Sequence, residues 1–270
     1  MSNTTGNKIS EAFKNKKALI AYLTAGDPSL DKTEEFIVAM AQNGADLIEI
    51  GIPFSDPVAE GEVIQNAMKK ALSKDIVLDD IFNMVVKIKK KVEVPLVFMT
   101  YLNPLFTYGY DKFFKKCKET GISGIITPDM PFEEQEEVKE FADKYDISLI
   151  TLIAPTSNER IETIAKAAQG FIYLVSSMGV TGVRTKITTD IESIVSKIKK
   201  VTDVPVAVGF GISTGQQVKE MIKYADGVII GSAIVKIIAE HKENSAPKLV
   251  EYISEIKKNI SEMIENTNKF

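Results

Sequence analysis

Cysteine and histidine are almost missing from this chain, which has one of each, Cys117 and His241. A lone cysteine excludes an intramolecular disulfide and a multi-cysteine metal site. Cys117 lies in the helical stretch "KFFKKCKETG" and reads as a quiet helix residue; His241, in the polar run "EHKENSAP", has no ligand pattern around it and reads as a surface side chain. No metal is expected. An excess of positive charge is missing too: the net charge is −4, which argues against nucleic acid as the main partner. The lysine runs at Lys89–Lys91 and Lys199–Lys200 end helical patterns, where cations favour the negative end of the helix dipole, and read as solvated caps. The opening "MSNTTGNKIS" holds no apolar h-region, and no run approaches the ~18 apolar residues of a membrane span. A cytoplasmic protein without a membrane partner is expected. Neither a Walker nor a Rossmann glycine pattern occurs.

What the chain does have is 270 residues, 44% of them hydrophobic and 26% charged, enough for a sizeable core. Apolar, β-branched runs recur: "ALIAYLTAG" from 18, "DLIEIGIP" from 46, "PLVFMTY" from 95, "GIIT" from 124, "SLITLIA" from 148, "FIYLVSS" from 171, "VPVAVGFG" from 204 and "GVIIGSAI" from 227. Runs that are apolar throughout, rather than alternating, belong to strands buried on both faces of a parallel sheet. Amphipathic helices separate them, for instance Val138, Phe141, Ala142, Tyr145 and Ile191, Ile194, Val195, Ile198 at i, i+3, i+4, i+7. Asp190 is a plausible N-cap, and Gly44 and Gly121 are plausible C-caps. The gap after the second strand has room for two helices, 61–75 and 77–92, and "KISEAFKNK" provides an extra N-terminal helix over the barrel floor. Eight βα units in sequence predict one (β/α)8 barrel domain over residues 1–270, with a doubly wound open sheet as the structural alternative.

In such a barrel the chemistry sits at the C-terminal strand ends and the loops that follow. Glu49 is the unusual residue, an acid inside the second apolar run with no Lys or Arg in strands 1 and 2 to pair it. Poor solvation there raises a carboxyl pKa toward the range useful for general acid–base work. Asp56, Glu60 and Glu62 follow on the loop and helix start; Asp56 in "PFSDP" suits a turn, and Glu62 suits a helix N-terminus. Asp129, in "TPDMP", belongs at the top of strand 4. "VGFGIS" and "IIGSAIV" end strands 7 and 8 with glycines beside helix starts, a pattern that suits phosphate. The polar stretch "SSMGVTGVRTKITT" after strand 6 suits a lid. Tyr22, Met99, Tyr101, Ile153, Tyr173 and Phe210 fall near strand tops, where they are placed to line an apolar slot. The residues alone thus point to a barrel enzyme handling a phosphorylated small molecule with carboxylate acid–base catalysis.

The motifs "AYLTAGDP", "EIGIPFSDPVAEG…IQNA", "TPDMP", "YLVSSMGVTG", "VGFGIS" and "GVIIGSAIV" occur in this order over most of the chain. In them the chain resembles the tryptophan synthase α-subunit family. The resemblance implies a lyase that cleaves indole-3-glycerol phosphate to indole and glyceraldehyde 3-phosphate. It implies no cofactor in this chain, and a pyridoxal-phosphate-dependent β subunit as partner in an α2β2 complex. By matching motifs it assigns acid–base work to Glu49 and a carboxylate for the indole N–H to Glu60. It puts Gly182, Gly211, Gly231 and Ser232 at the phosphate, Thr181 in the lid, and Tyr22, Tyr173 and Phe210 beside the substrate. Asp56, Asn103 and Asp129 match positions used near the inter-subunit face. One departure stands out: the family's Asp-Gly-Pro is Glu60-Gly61-Glu62 here, moving the carboxylate out by one methylene. That change keeps open the alternative of a catalytically weak or silent subunit that mainly activates its partner, and a stand-alone indole lyase would share the same residues. Two other phosphate-binding barrels fit less well. An indole-glycerol-phosphate synthase wants a lysine inside the barrel, and the strand runs offer none; a metal-assisted epimerase wants histidine ligands.

Overall fold

The structure, a computed structural model, describes residues 6–155, 160–176, 190–209 and 211–267. Among the described residues the nine parallel strands are β1 (Ala18–Thr24), β2 (Leu47–Gly51), β3 (Leu96–Met99), β4 (Ile122–Ile126), β5 (Ser148–Leu149), β6 (Thr151–Ile153), β7 (Ile172–Val175), β8 (Val206–Gly209) and β9 (Gly227–Ile230). They are hydrogen-bonded in the order β5-β4-β3-β2-β1-β9-β8-β7-β6, so neighbours in sequence are neighbours in space and the first strand pairs with the last. A doubly wound sheet would reverse direction at a switch point; this sheet curls round instead into a nearly closed barrel.

The one departure from eight strands lies in the predicted fifth. There Ser148 and Leu149 pair with β4, and Thr151 to Ile153 pair with β7. Ile150 between them donates its N–H to the Ile125 carbonyl at 2.9 Å. β5 and β6 are therefore two halves of one segment, the lower bound to one neighbour and the upper to the other. The stagger that barrel closure imposes on register falls at this junction.

Around the strands lie α1 (Gly6–Glu11), α2 (Leu30–Gln42), α3 (Glu62–Leu72), α4 (Leu78–Lys89), α5 (Leu102–Tyr108) and α6 (Tyr110–Thr120). The second half adds α7 (Glu136–Tyr145), α8 (Ile161–Ala167), α9 (Ile191–Lys199), α10 (Gly215–Met221), α11 (Ser232–His241) and α12 (Ser245–Thr267). Both helices expected after strand 2 are present. Asp190 caps α9 by accepting the Ser193 N–H at 3.0 Å. Gly121 ends α6 at φ 87°, a left-handed conformation that only glycine adopts without strain, whereas Gly44 lies one residue beyond the α2 C-cap, Asn43. The segment after β3 carries two helices where one was expected, parted at Gly109 with φ 88°. None of the helices among the described residues is long and apolar enough to cross a membrane.

Strand residues alternate between two cores, as the two-residue period requires. Leu19, Ala21, Leu23, Ile48, Ile50 and Phe98 face the helices, in the larger core. Ala18, Ile20, Tyr22, Leu47, Val97 and Met99 face the barrel interior. Ile9 of α1 is fully buried in this inner core, and Phe13 just beyond packs its ring 5.7 Å from that of Phe171. The N-terminal helix thus closes the barrel floor, leaving the opposite end as the open mouth.

Candidate active site

Parity fixes where Glu49 points. Leu47 faces the interior and Ile48 and Ile50 face the helices, so Glu49 shares the inward direction, directly opposite Tyr22 in the β1–β2 register. Its exposure is 0%, and among the described residues neither carboxylate oxygen has a hydrogen-bond partner. Removal from water with nothing to offset the charge pushes its pKa up to about 8. A carboxyl in that state holds its proton at neutral pH and is ready to give it up.

Of the two acids beside Gly61, the fold takes only one inside. Glu62 opens α3 and is exposed; Glu60, just before the helix, is fully buried. The Tyr101 phenol donates to Glu60 Oε2, while Oε1 has no partner among the described residues. Burial raises the Glu60 pKa to about 7, the Tyr101 bond opposes that rise, and the nearby Asp129 charge adds to it. The Tyr22 phenol is pushed up by burial and then by the Glu60 charge, and the Tyr173 phenol by burial and then by Glu49 and Glu60. The two acids and two tyrosines therefore share one weakly solvated field.

One cavity at the mouth is lined by Tyr22, Glu49, Tyr173, Gly211, Gly231 and Ser232, with Ile64, Met99, Ile212 and Ile229 as apolar walls. Two of its tyrosines are seated alike. Tyr22 pairs with Glu49 and leans two residues up β2, so that a Cβ on Gly51 would lie 2.3 Å from its hydroxyl. Tyr173 pairs with Ala207 and leans two residues up β8, where a Cβ on Gly209 would lie 2.5 Å from its hydroxyl. Each ring occupies space that the glycine of the next strand leaves empty.

At the far side of the cavity two helices begin, and they differ. The first turn of α10 is closed by its own capping box, in which Thr214 accepts the Gln217 N–H and Gln217 accepts the Thr214 N–H at 3.2 Å. The N-cap of α11 is Gly231, which has no side chain to spend on the first N–H groups. That end of α11, with the Ser232 hydroxyl, is left to meet an anion.

The structure brings Glu49, Tyr22, Tyr173, Gly211, Gly231 and Ser232 to one cavity, while Glu60 lies outside its lining, near enough for its charge to act on Tyr22 and Tyr173. Thr181, Gly182, Phe210 and the expected lid lie outside the described residues. Asp56, Asn103 and Asp129 lie on the outer rim. Asp56 accepts from Ser55, Asn103 contacts Thr107 Oγ1 at 2.9 Å within α5, and Asp129 accepts the Leu102 N–H at 3.0 and 3.2 Å, capping α5 from a neighbouring loop. Ile153, expected near the slot, belongs to the outer core and faces the helices. Tyr101 was expected only as an apolar wall, yet it is the hydrogen-bond donor to Glu60. Its position two residues beyond the inward-facing Met99 was the available signal. Among the described residues no three His, Cys, Asp or Glu side chains gather in a metal-binding arrangement.

Comparison with known proteins agrees with this architecture. The family model described as tryptophan synthase alpha chain matches residues 9–265. The tryptophan synthase alpha chain of Lacticaseibacillus casei is 45% identical over 251 residues, covering 93% of this chain and 94% of its own length. That of Lactiplantibacillus plantarum is 49% identical over 239 residues, covering 88% and 90%. Among solved structures, tryptophan synthase from Mycobacterium tuberculosis superposes with a TM-score of 0.86 at 33% identity, covering 96% of this chain and 99% of the other. The alpha chain from Legionella pneumophila gives 0.85 at 34% identity, covering 97% and 98%. With its barrel, its buried acids and this match over nearly its full length, the chain belongs to the tryptophan synthase alpha chain family.

Proposed function

We propose that this chain is the lyase half of tryptophan synthase, cleaving indole-3-glycerol phosphate to indole and glyceraldehyde 3-phosphate. The observation that carries the reading is Glu49, an unpaired carboxyl at the barrel mouth, protonated at neutral pH and in one cavity with the uncapped start of α11. In the reaction, Glu49 gives its proton to indole C3, which turns the ring into an electron sink. The side-chain hydroxyl then returns a proton to the Glu49 carboxylate as the carbon–carbon bond breaks. The bonding pair restores the aromatic ring, the hydroxyl carbon becomes the aldehyde, and Glu49 ends as it began. Ionised Glu60 accepts the indole N–H through its unpartnered Oε1 and stabilises the positive charge that develops on the ring. Gly211, Gly231 and Ser232 hold the phosphate with Gly182, Thr181 closes the lid, and Tyr22, Tyr173 and Phe210 flank the indole. No cofactor takes part within this chain.

The partner in this reading is a β subunit, in an α2β2 complex. The rim supports it. Val58 is 74% exposed and Phe106 is 69% exposed, large apolar surfaces for a chain standing alone. Asn103, Pro104 and Thr107 of α5 line a groove there with Ile52, Pro53 and Leu78, and Asp56 and Asp129 share that rim. The chain acts as one domain in the cytoplasm. The test is indole release from indole-3-glycerol phosphate by the purified chain, with and without a β subunit, beside Glu49→Gln and Glu60→Gln. Release that rises with the β subunit, disappears in Glu49→Gln and falls to a low residual level in Glu60→Gln is expected. A Glu60→Gln chain with nearly full activity would show that Glu60 has no such role, and a wild-type chain that activates the β subunit without releasing indole would overturn the lyase reading.

A further inference from the structure

We infer that Tyr101 is a positioning residue that holds the carboxylate of Glu60 in its working place, making up for the extra methylene that this chain carries there. The inference rests on the role given to Glu60 above.

The phenol is held on three sides. Its ring stacks on Phe54, with centroids 5.0 Å apart and planes inclined by 27°. Its oxygen accepts the Ala59 N–H at 3.0 Å. The residue after it, Leu102, has its N–H bound by both oxygens of Asp129. Tyr101 is itself only 1% exposed, so it has little room to swing away. The direction of its own proton follows from its partners. An amide N–H can only donate, so the phenol oxygen is the acceptor toward Ala59, and its single hydrogen is free for Glu60 Oε2.

The consequence for Glu60 is orientation. A glutamate has one more rotatable bond than an aspartate, and without a fixed partner its carboxylate would sample several positions in the mouth. Binding Oε2 to an immobile donor leaves one geometry and one open acceptor, Oε1. The Glu60 backbone is anchored as well, since its carbonyl accepts from Gln65 Nε2 at 2.7 Å. Tyr101 therefore touches no reacting atom in this scheme; it acts through Glu60.

The test is Tyr101→Phe in the complete chain with its β subunit, assayed for indole release across pH. Phenylalanine keeps the ring on Phe54 and removes only the hydroxyl. A carboxylate misplaced by about 1 Å lowers kcat by about a hundredfold at most, with KM changed by less than about threefold. The hydroxyl also favours the ionised form of Glu60, so its loss moves the acid side of the kcat/KM profile up by about one pH unit. The base side, set by Glu49, stays in place. A limb position does not depend on how much of the sample is folded, so a partly unfolded variant still gives the answer. In a Glu60→Gln background, Tyr101→Phe should have no further effect on residual activity. Losses that add in the double variant, or a fall in kcat with both limbs unmoved, would show a packing role and overturn the inference. Full activity of Tyr101→Phe beside a strongly impaired Glu60→Gln would overturn it alone and leave the role of Glu60 standing. Full activity of Glu60→Gln would remove both.

Discussion

Glu49→Gln is expected to change how stability depends on pH, in an experiment that needs neither substrate nor partner. In the unfolded chain the carboxyl titrates near its ordinary value of 4.5, and in the folded chain burial raises it to about 8. Between those values the unfolded chain has lost a proton that the folded chain still holds, so each rise in pH pulls the equilibrium toward unfolding. The stability is fully present below about 4.5 and lost by about 8. At 1.36 kcal/mol for each unit of pKa difference, the interval amounts to about 5 kcal/mol. Glutamine does not titrate. Its buried amide shifts stability by a constant of about 1–3 kcal/mol that does not change with pH. Glu60, raised in the same direction, is present in both chains and cancels from the comparison. Thermal midpoints of wild type and Glu49→Gln, taken at intervals from pH 5 to 8.5, should therefore diverge. Wild type loses ground by on the order of 10 °C as pH rises. Parallel curves would refute the reasoning, because they would mean that Glu49 is already ionised when folded.

The kcat/KM profile for indole release is expected to be a narrow bell, rising as Glu60 ionises near pH 7 and falling as Glu49 loses its proton near pH 8; a profile flat from pH 6 to 9 would contradict both assignments. Gly51→Ala puts a methyl 2.3 Å from the Tyr22 hydroxyl, so the ring must move; KM should rise about tenfold and stability fall by about 1–3 kcal/mol, read by kinetics and melting, and unchanged values would show that Tyr22 does not shape the mouth. Phe106→Asp, at a side chain 69% exposed, should leave stability within about 0.5 kcal/mol and weaken activation by a β subunit at least tenfold in a titration; equal activation would move the docking face elsewhere.

Much of this was legible from residue order. The strands announced themselves because a parallel barrel buries both faces, and Glu49 stood out because an acid in such a run has no local partner. The same property hid other details. Where both faces are apolar, pattern does not say which residues point in: strand-top position alone puts Ile153 at the mouth, whereas its neighbours Ile150 and Leu152 are the inward ones. "SLITLIA" is apolar throughout, so nothing in it marks the residue where pairing passes from β4 to β7; the ring's register decides that. Gly109 did carry a signal for a helix break, but the spacing of the strands asked for only one helix there. The Tyr101–Glu60 bond joins residues 41 positions apart and depends on two loops meeting, which no local pattern encodes.

The paired seating of Tyr22 over Gly51 and Tyr173 over Gly209 has a consequence for how this mouth can evolve. Below the rings lies the packed inner core that keeps the barrel standing; above them lies the cavity. The two phenol rings act as a false floor between these compartments, and each is let in by a missing methyl on the adjacent strand. Depth of the cavity is then governed by four residues on the two strand pairs β1–β2 and β7–β8. Substitutions among those four can deepen or shorten the cavity, at some cost to the inner core of which both rings are part.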